Sequence, residues 1–249
     1  MSLYRTRRLV PYLLLLSMAF IGSGTSYADF LRLTTEYLDP YNVPTADGRS
    51  ATGIVGDKVS ELMRRAGIDY TLEAVSWQRA YNLAQVQPDT CVFGTARITE
   101  RETLFKWIGP LATTEWVIIG RYDSPPVRRL EDLKNTPIAG YRSDAVATHL
   151  ANQQYKIVTA TNGEVCLRNL LAGRIDYWAA GRLSSPQIIK RLQAQSQVKV
   201  LFSFNRQELY LACNLDVPIK VIDALQAAYK SMETDGTLRQ IDQRYPSLP

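Results

Sequence analysis

VGDKVSELMRRAGIDYTLEAVSWQRAYNLAQVQPDTCVF, residues 55–93, alternates between helical and strand patterning, and that alternation decides the fold. Val55, Val59, Leu62 and Ala66 recur at helical spacing, and Gly67 stops the helix. Tyr70–Val75 reads as a strand, a helix follows near Gln78–Gln85, and Thr90–Phe93 is a second strand. Upstream, Leu31–Thr35 is a short strand. Residues 36–50 form a loop, broken by Pro40, Pro44 and Asp47-Gly48. The order β-α-β-α-β predicts a mainly parallel sheet covered by helices.

Downstream the pattern restarts. Thr114–Gly120 is strongly β-prone and ends at Tyr122-Asp123-Ser124-Pro125-Pro126, a break that suits a crossing between two lobes. Ile138–Tyr141, Ile157-Val158, Ile175–Ala179 and Val198–Phe202 read as strands. Ala145–Gln153, Glu164–Leu171 and Pro186–Ala194 read as the helices between them. Leu209–Asn214 is a further strand. Ile222, Leu225, Tyr229 and Met232 then mark one face of a helix with Pro218 in its first turn, Asp216 placed to cap it and Gly236 ending it; a short helix closes the chain over Thr237–Arg244.

The N-terminus reads as an export signal. Arg5, Arg7 and Arg8 precede the apolar run Leu9–Ile21, and Ser26-Tyr27-Ala28 fits the small-x-small rule, so cleavage is expected after Ala28. The run is shorter than the roughly 20 residues of a membrane span; an uncleaved anchor is the alternative. The first 28 residues hold three of the 29 Lys and Arg and none of the 24 Asp and Glu. The remainder therefore carries 26 basic against 24 acidic residues, a formal +2. Charges are mixed and no basic stripe is interleaved with aromatics, so nothing points to nucleic acid. Three cysteines, Cys91, Cys166 and Cys213, allow one disulfide without choosing the pair. With no CxxC and His149 as the only histidine, neither a zinc site nor a cofactor is expected.

Several segments carry a resemblance. LRLTTEY (31–37), GIVGDKVSELMRRAG (53–67), FGTARITERETLFKWIGPL (93–111), SPPVRRLEDLKNTPIAGYRSD (124–144), AGRIDYWAAG (172–181) and YKSMETDGTLRQIDQRY (229–245) occur in an order similar to that of the periplasmic amino-acid-binding proteins, the bacterial extracellular solute-binding proteins of family 3. The resemblance covers about residues 30–246. It implies an α/β, two-lobed periplasmic-binding-protein fold. Each lobe would be a mainly parallel sheet flanked by helices, with two crossover strands between lobes and a ligand in the cleft. Carried over, residues 1–28 are the signal peptide, lobe one is 29–122 with 208–249, and lobe two is 123–207.

The resemblance also nominates site residues. Arg101 stands where the family's carboxylate-binding arginine stands, and a guanidinium fork suits a carboxylate. A surface arginine paired with Glu100 or Glu102 is the plain alternative. Trp77 matches a ring that stacks on the ligand, with core packing as its alternative. Gly94 matches a position where backbone approaches the ligand amine. Ala96 replaces a usual Ser or Thr, and the neighbouring Arg97 adds a positive charge near the cleft or is a solvated loop residue. Glu36 and Tyr37 follow the first strand, where parallel sheets place ligands. Arg142, Ser143 and Asp144 occupy a turn whose counterpart meets the ligand carboxylate, and Asp144 is better suited to capping the next helix. Gly181 stands where the family's amine-binding aspartate is expected. Unless Glu36 or Asp144 supplies the anion, an α-ammonium lacks its charge partner.

The expected function is capture of a small carboxylate-bearing ligand, an amino acid or derivative, for an inner-membrane ABC permease. The protein would act as a periplasmic monomer and not as an enzyme. Two alternatives stand beside it: a periplasmic cyclohexadienyl (arogenate or prephenate) dehydratase with Glu36 as general acid, and a sensing module acting through a membrane receptor.

Overall fold

The structure, a computed structural model, describes residues 30–245; the expected signal peptide and its cleavage after Ala28 lie outside the described residues. The first half of the chain holds β1 (Phe30–Thr35), the short pair β2 (Val43–Pro44) and β3 (Ala51–Thr52), α1 (Gly53–Ala66), β4 (Asp69–Ala74), α2 (Trp77–Val86) and β5 (Thr90–Ala96). A 3-10 turn, Thr99–Leu104, leads into β6 (Lys106–Arg121). The second half holds β7 (Ile138–Tyr141), α3 (Ala145–Asn152), β8 (Ile157–Ala160), α4 (Gly163–Leu171), β9 (Tyr177–Gly181) and α5 (Ser185–Arg191). It returns through β10 (Val198–Cys213) to α6 (Ile219–Thr234) and α7 (Thr237–Asp242).

The strands run in the order β4-β1-β5-β10-β6-β9-β7-β8. β4, β1 and β5 are parallel, as are β8, β7 and β9. At the inner edge of each set lies an antiparallel strand that arrives from the other set: β10 on β5, β6 on β9. The expected α/β architecture of two parallel lobes joined by two crossovers is therefore the one observed. The helices behave as their sequences require. α1 buries Val55, Val59, Leu62 and Met63, and Gly67 ends it in the left-handed conformation at φ 66°. α6 begins one residue beyond Pro218, which occupies its N-cap, so Asp216 does not cap it.

The crossovers differ from their sequence reading. β6 starts at Lys106 instead of Thr114, and β10 is continuous where two strands were expected. The cause is exposure. Between Ser203 and Glu208, β10 pairs with β6 alone and has no third strand beside it. A two-stranded ribbon buries little, so it tolerates Ser203, Asn205, Arg206 and Gln207, which read as a break. Gly109-Pro110 is accommodated where the β6–β10 register shifts, between Leu209 and Leu211, as a proline within a strand requires. The strand pairing also brings Cys91 opposite Cys213, and they form the disulfide; Cys166 is free and buried on α4. Among the described residues no helix is long and apolar enough to cross a membrane.

Candidate functional site

Parallel strands present their C-terminal ends to a common edge, and here both sets present theirs to one another across the ribbon. Glu36 and Tyr37 follow β1. Trp77 opens α2 after β4. Gly94, Ala96 and Arg101 lie at or after the end of β5. From the other set, Tyr141 ends β7 and Asp144 caps α3, Asn162 and Gly163 follow β8, and Gly181 ends β9. Together with Trp116 of β6 and Trp178 of β9, these residues line a cavity of about 240 Å3. That is near the lower limit of small-molecule pockets, so it suits a ligand of few heavy atoms.

Arg101 lies in the wall of this cavity, 4 % exposed. Its guanidinium is centred 5.3 Å from the Trp77 ring and 4.8 Å from Tyr81. Nη1 donates to the Ala96 carbonyl at 3.3 Å, and Nη2 to the Ser143 carbonyl at 2.9 Å. The Trp77 indole donates to the same Ser143 oxygen at 2.9 Å. Ser143 adopts φ 62°, which turns the chain sharply between β7 and α3. Burial pulls the Arg101 pKa below the usual guanidinium value, opposed by Tyr81, Asp144 and Glu100.

Two carboxyls share the cavity. Glu36 accepts from the Tyr141 hydroxyl at 3.4 Å, and the Trp77 amide donates to that hydroxyl at 3.2 Å. Burial, and then the charge of Asp144, push Glu36 up to about 8. Asp144 accepts from the Ala145 amide at 2.7 Å at the start of α3; burial raises its pKa while Arg101 lowers it. Farther along the wall, Glu164 is paired with Arg191.

Three expected site residues, Arg97, Arg142 and Ser143, do not line this cavity. In extended backbone successive side chains point to opposite faces. Ala96 faces the cavity, so Arg97 faces away: it pairs with Glu102 at 2.8 Å and its guanidinium lies over the rings of Trp107 and Tyr210, in a separate surface groove. Tyr141 likewise faces inward and Arg142 is exposed. Ser143 contributes its carbonyl to the bonds between the lobes and is not itself in the cavity lining. Gly94 does line it, with a reason of its own to be glycine: φ is 75°, and a Cβ would lie 2.4 Å from Asn42 Nδ2. Gly181 also lines it, and a Cβ there would lie 2.7 Å from Ser184 Oγ, a hydroxyl that a rotamer change can move. Tyr41, Trp116, Tyr141 and Trp178 are lining residues that the sequence reading missed. Tyr141 was findable, as the last residue of an expected parallel strand.

Comparisons with known proteins come to the same fold. No protein-family profile matches the chain. The L-cystine-binding protein TcyA of Bacillus subtilis (strain 168) is 19% identical over 207 residues, covering 83% of this chain and 77% of that protein. Among solved structures, a histidine kinase sensor domain with similarity to periplasmic binding proteins superposes with a TM-score of 0.78 at 17% identity, over 88% of this chain and 96% of that one. This is a periplasmic-binding-protein fold. An ancestral arginine-binding protein bound to arginine matches with a TM-score of 0.74 at 17% identity, over 88% and 98% of the two chains. The similarity to amino-acid-binding proteins read from the sequence motifs thus extends to most of the chain's length.

Proposed function

We propose that this protein is an exported solute-binding protein that captures a small carboxylate-bearing ligand, an amino acid or derivative, between its lobes and delivers it to an inner-membrane ABC permease. The lobes are residues 29–122 with 208–249, and residues 123–207, and the protein acts as a monomer in the periplasm. One observation carries the reading: Arg101, a cation held in the wall of a small aromatic cavity, where a ligand carboxylate entering a dry site would require such a partner. Bonds between the lobes at Ser143, Tyr141 and Glu100–Asn152 fit a clamshell that closes on its ligand. The sources of the relatives' ligands, L-cystine for one and arginine for another, point to the same class.

The test is a thermal-shift screen of residues 29–249 against amino acids, polyamines and dicarboxylic acids. A ligand at 100 times its Kd stabilises by about 2.7 kcal/mol. Arg101→Ala should weaken the best carboxylate ligand by 100-fold or more; unchanged affinity removes the carboxylate assignment. Consumption of arogenate or prephenate, in place of plain binding, would make the protein an enzyme. The sensor-domain neighbour supports a second reading, in which the closed form docks on a membrane receptor; pull-down of a receptor ectodomain instead of a permease would select it.

A further inference from the structure

The cavity holds more acid than the expected carboxylate ligand explains. Glu36 comes from the end of β1 and Asp144 from the cap of α3, on opposite lobes, yet both line the same cavity. Arg101 lowers the pKa of Asp144 alone of the two, and its Nη atoms are already engaged by the Ala96 and Ser143 carbonyls. Arg191, at the far wall, is held by Glu164. Asp39 adds a further carboxyl to the lining. Meanwhile Gly181, in the same lining, offers no side chain to a ligand.

We propose that the Glu36–Asp144 pair holds a cationic group of the ligand, an ammonium or a guanidinium, and releases a proton to solvent when that group enters. The proposal rests on the reading of the cavity as a ligand site. It assigns the missing anion to two residues on different strands' ends, so that the cation is gripped by both lobes at once. The physical reason for the proton is the cost of two buried carboxylates ionised in one cavity. With no cation present, one member of the pair keeps its proton, and the two titrate as a unit. Burial raises both carboxyls, and the charge of Asp144 adds to the rise of Glu36, to about 8. The groups that face it are the Tyr141 hydroxyl from β7, Asp144 from α3, the Trp77 amide from α2 and, beyond Asp144, Arg101 from the turn after β5. None of these supplies a full positive charge directly to Glu36. A ligand cation would, and its arrival drives the carboxyl to ionise.

The experiment is titration calorimetry at pH 7 in phosphate and in Tris, with L-arginine, putrescine and glutarate as probes. The difference in heat between buffers counts protons. A cationic probe should release about one proton per site, and its affinity should rise by up to about tenfold per pH unit from pH 6 to 8 and level off above. Glutarate, with no cation, should release none. Glu36→Gln should abolish the release and the pH dependence and weaken a cationic probe at least tenfold at pH 8.5. If that variant fails to fold, the two-buffer measurement on the unaltered protein still decides. Binding of a cationic probe without proton release overturns the proposal, as does binding of glutarate alone. In the glutarate case the carboxylate reading survives, provided Arg101→Ala abolishes binding. No binding by any of the three overturns both.

Discussion

The two halves of the sheet are built alike and held differently. Each has three parallel strands and one antiparallel strand from the other half: β4-β1-β5 with β10, and β8-β7-β9 with β6. In the first half the join is covalent, since Cys91 of β5 is bonded to Cys213 at the end of β10. In the second half the corresponding join, β9 to β6, runs over Trp116–Gly120 against Tyr177–Gly181 and has hydrogen bonds and packing alone. Its cysteine, Cys166, lies instead on the inner face of α4 among Leu167, Leu170 and Trp178. The same topology therefore carries a stapled lobe and an unstapled one. What the topology fixes is where strand ends meet; what closes each lobe is free to vary.

The largest test of that difference is to remove the staple. The disulfide spans 122 residues of chain, a loop of the size for which the entropy of closure is greatest. Cys91→Ala with Cys213→Ala should lower unfolding stability by about 2–5 kcal/mol in urea melts. A loss below about 1 kcal/mol would mean that packing across β5 and β10 already holds the first half, and the two halves would then be alike in practice.

A second effect separates the halves by their charges. Glu36 belongs to the first half and Asp144 to the second, and each has its pKa raised by burial first. A carboxyl whose folded pKa exceeds its unfolded value binds its proton more tightly in the native state. Its stabilisation is full below the ordinary carboxylate range and is lost as pH rises through the folded value. Ligand-free protein should therefore lose stability between about pH 4.5 and 8, by at most about 5 kcal/mol, and change little above. Melting curves of Glu36→Gln across that range should be flatter. An equally steep decline in the variant would place the titrating group elsewhere.

Much of this was legible in the sequence, for reasons that can be named. The parallel sets were, because helical and strand periods alternate cleanly from Val55 to Phe93. The strand-end rule then located Glu36 and Tyr37 beside the cavity, and the family resemblance nominated Trp77 and the turn that holds Asp144. The crossovers were legible only in part, since an exposed ribbon carries polar residues that look like a break. Arg97 was drawn to the cavity by adjacency to Ala96, and the alternation of extended backbone turns it away; Arg142 was nominated with its turn, and that turn leaves it exposed. Trp116 and Trp178 were hidden because an aromatic in a strand reads as core until the partner lobe is placed. The disulfide was hidden because it depends on β10 lying beside β5, a pairing 122 residues apart in sequence.

The thiols give the finest test of the stapled and unstapled halves, because the expected effect is none. Cys166 is buried against the β-sheet, and burial first, with the charge of Asp144 after it, pushes its thiol up to about 12. The thiolate is the reactive form, so at pH 8 this residue has neither the charge nor the access to react. Cys91 and Cys213 are oxidised and equally silent. A thiol reagent should accordingly find no reactive cysteine in the native protein, one in urea, and three in urea after reduction. Three reactive thiols in urea before reduction would mean that the Cys91–Cys213 bond is absent. One reactive thiol in the native protein would show that α4 opens without global unfolding, and that the unstapled half is the one that breathes.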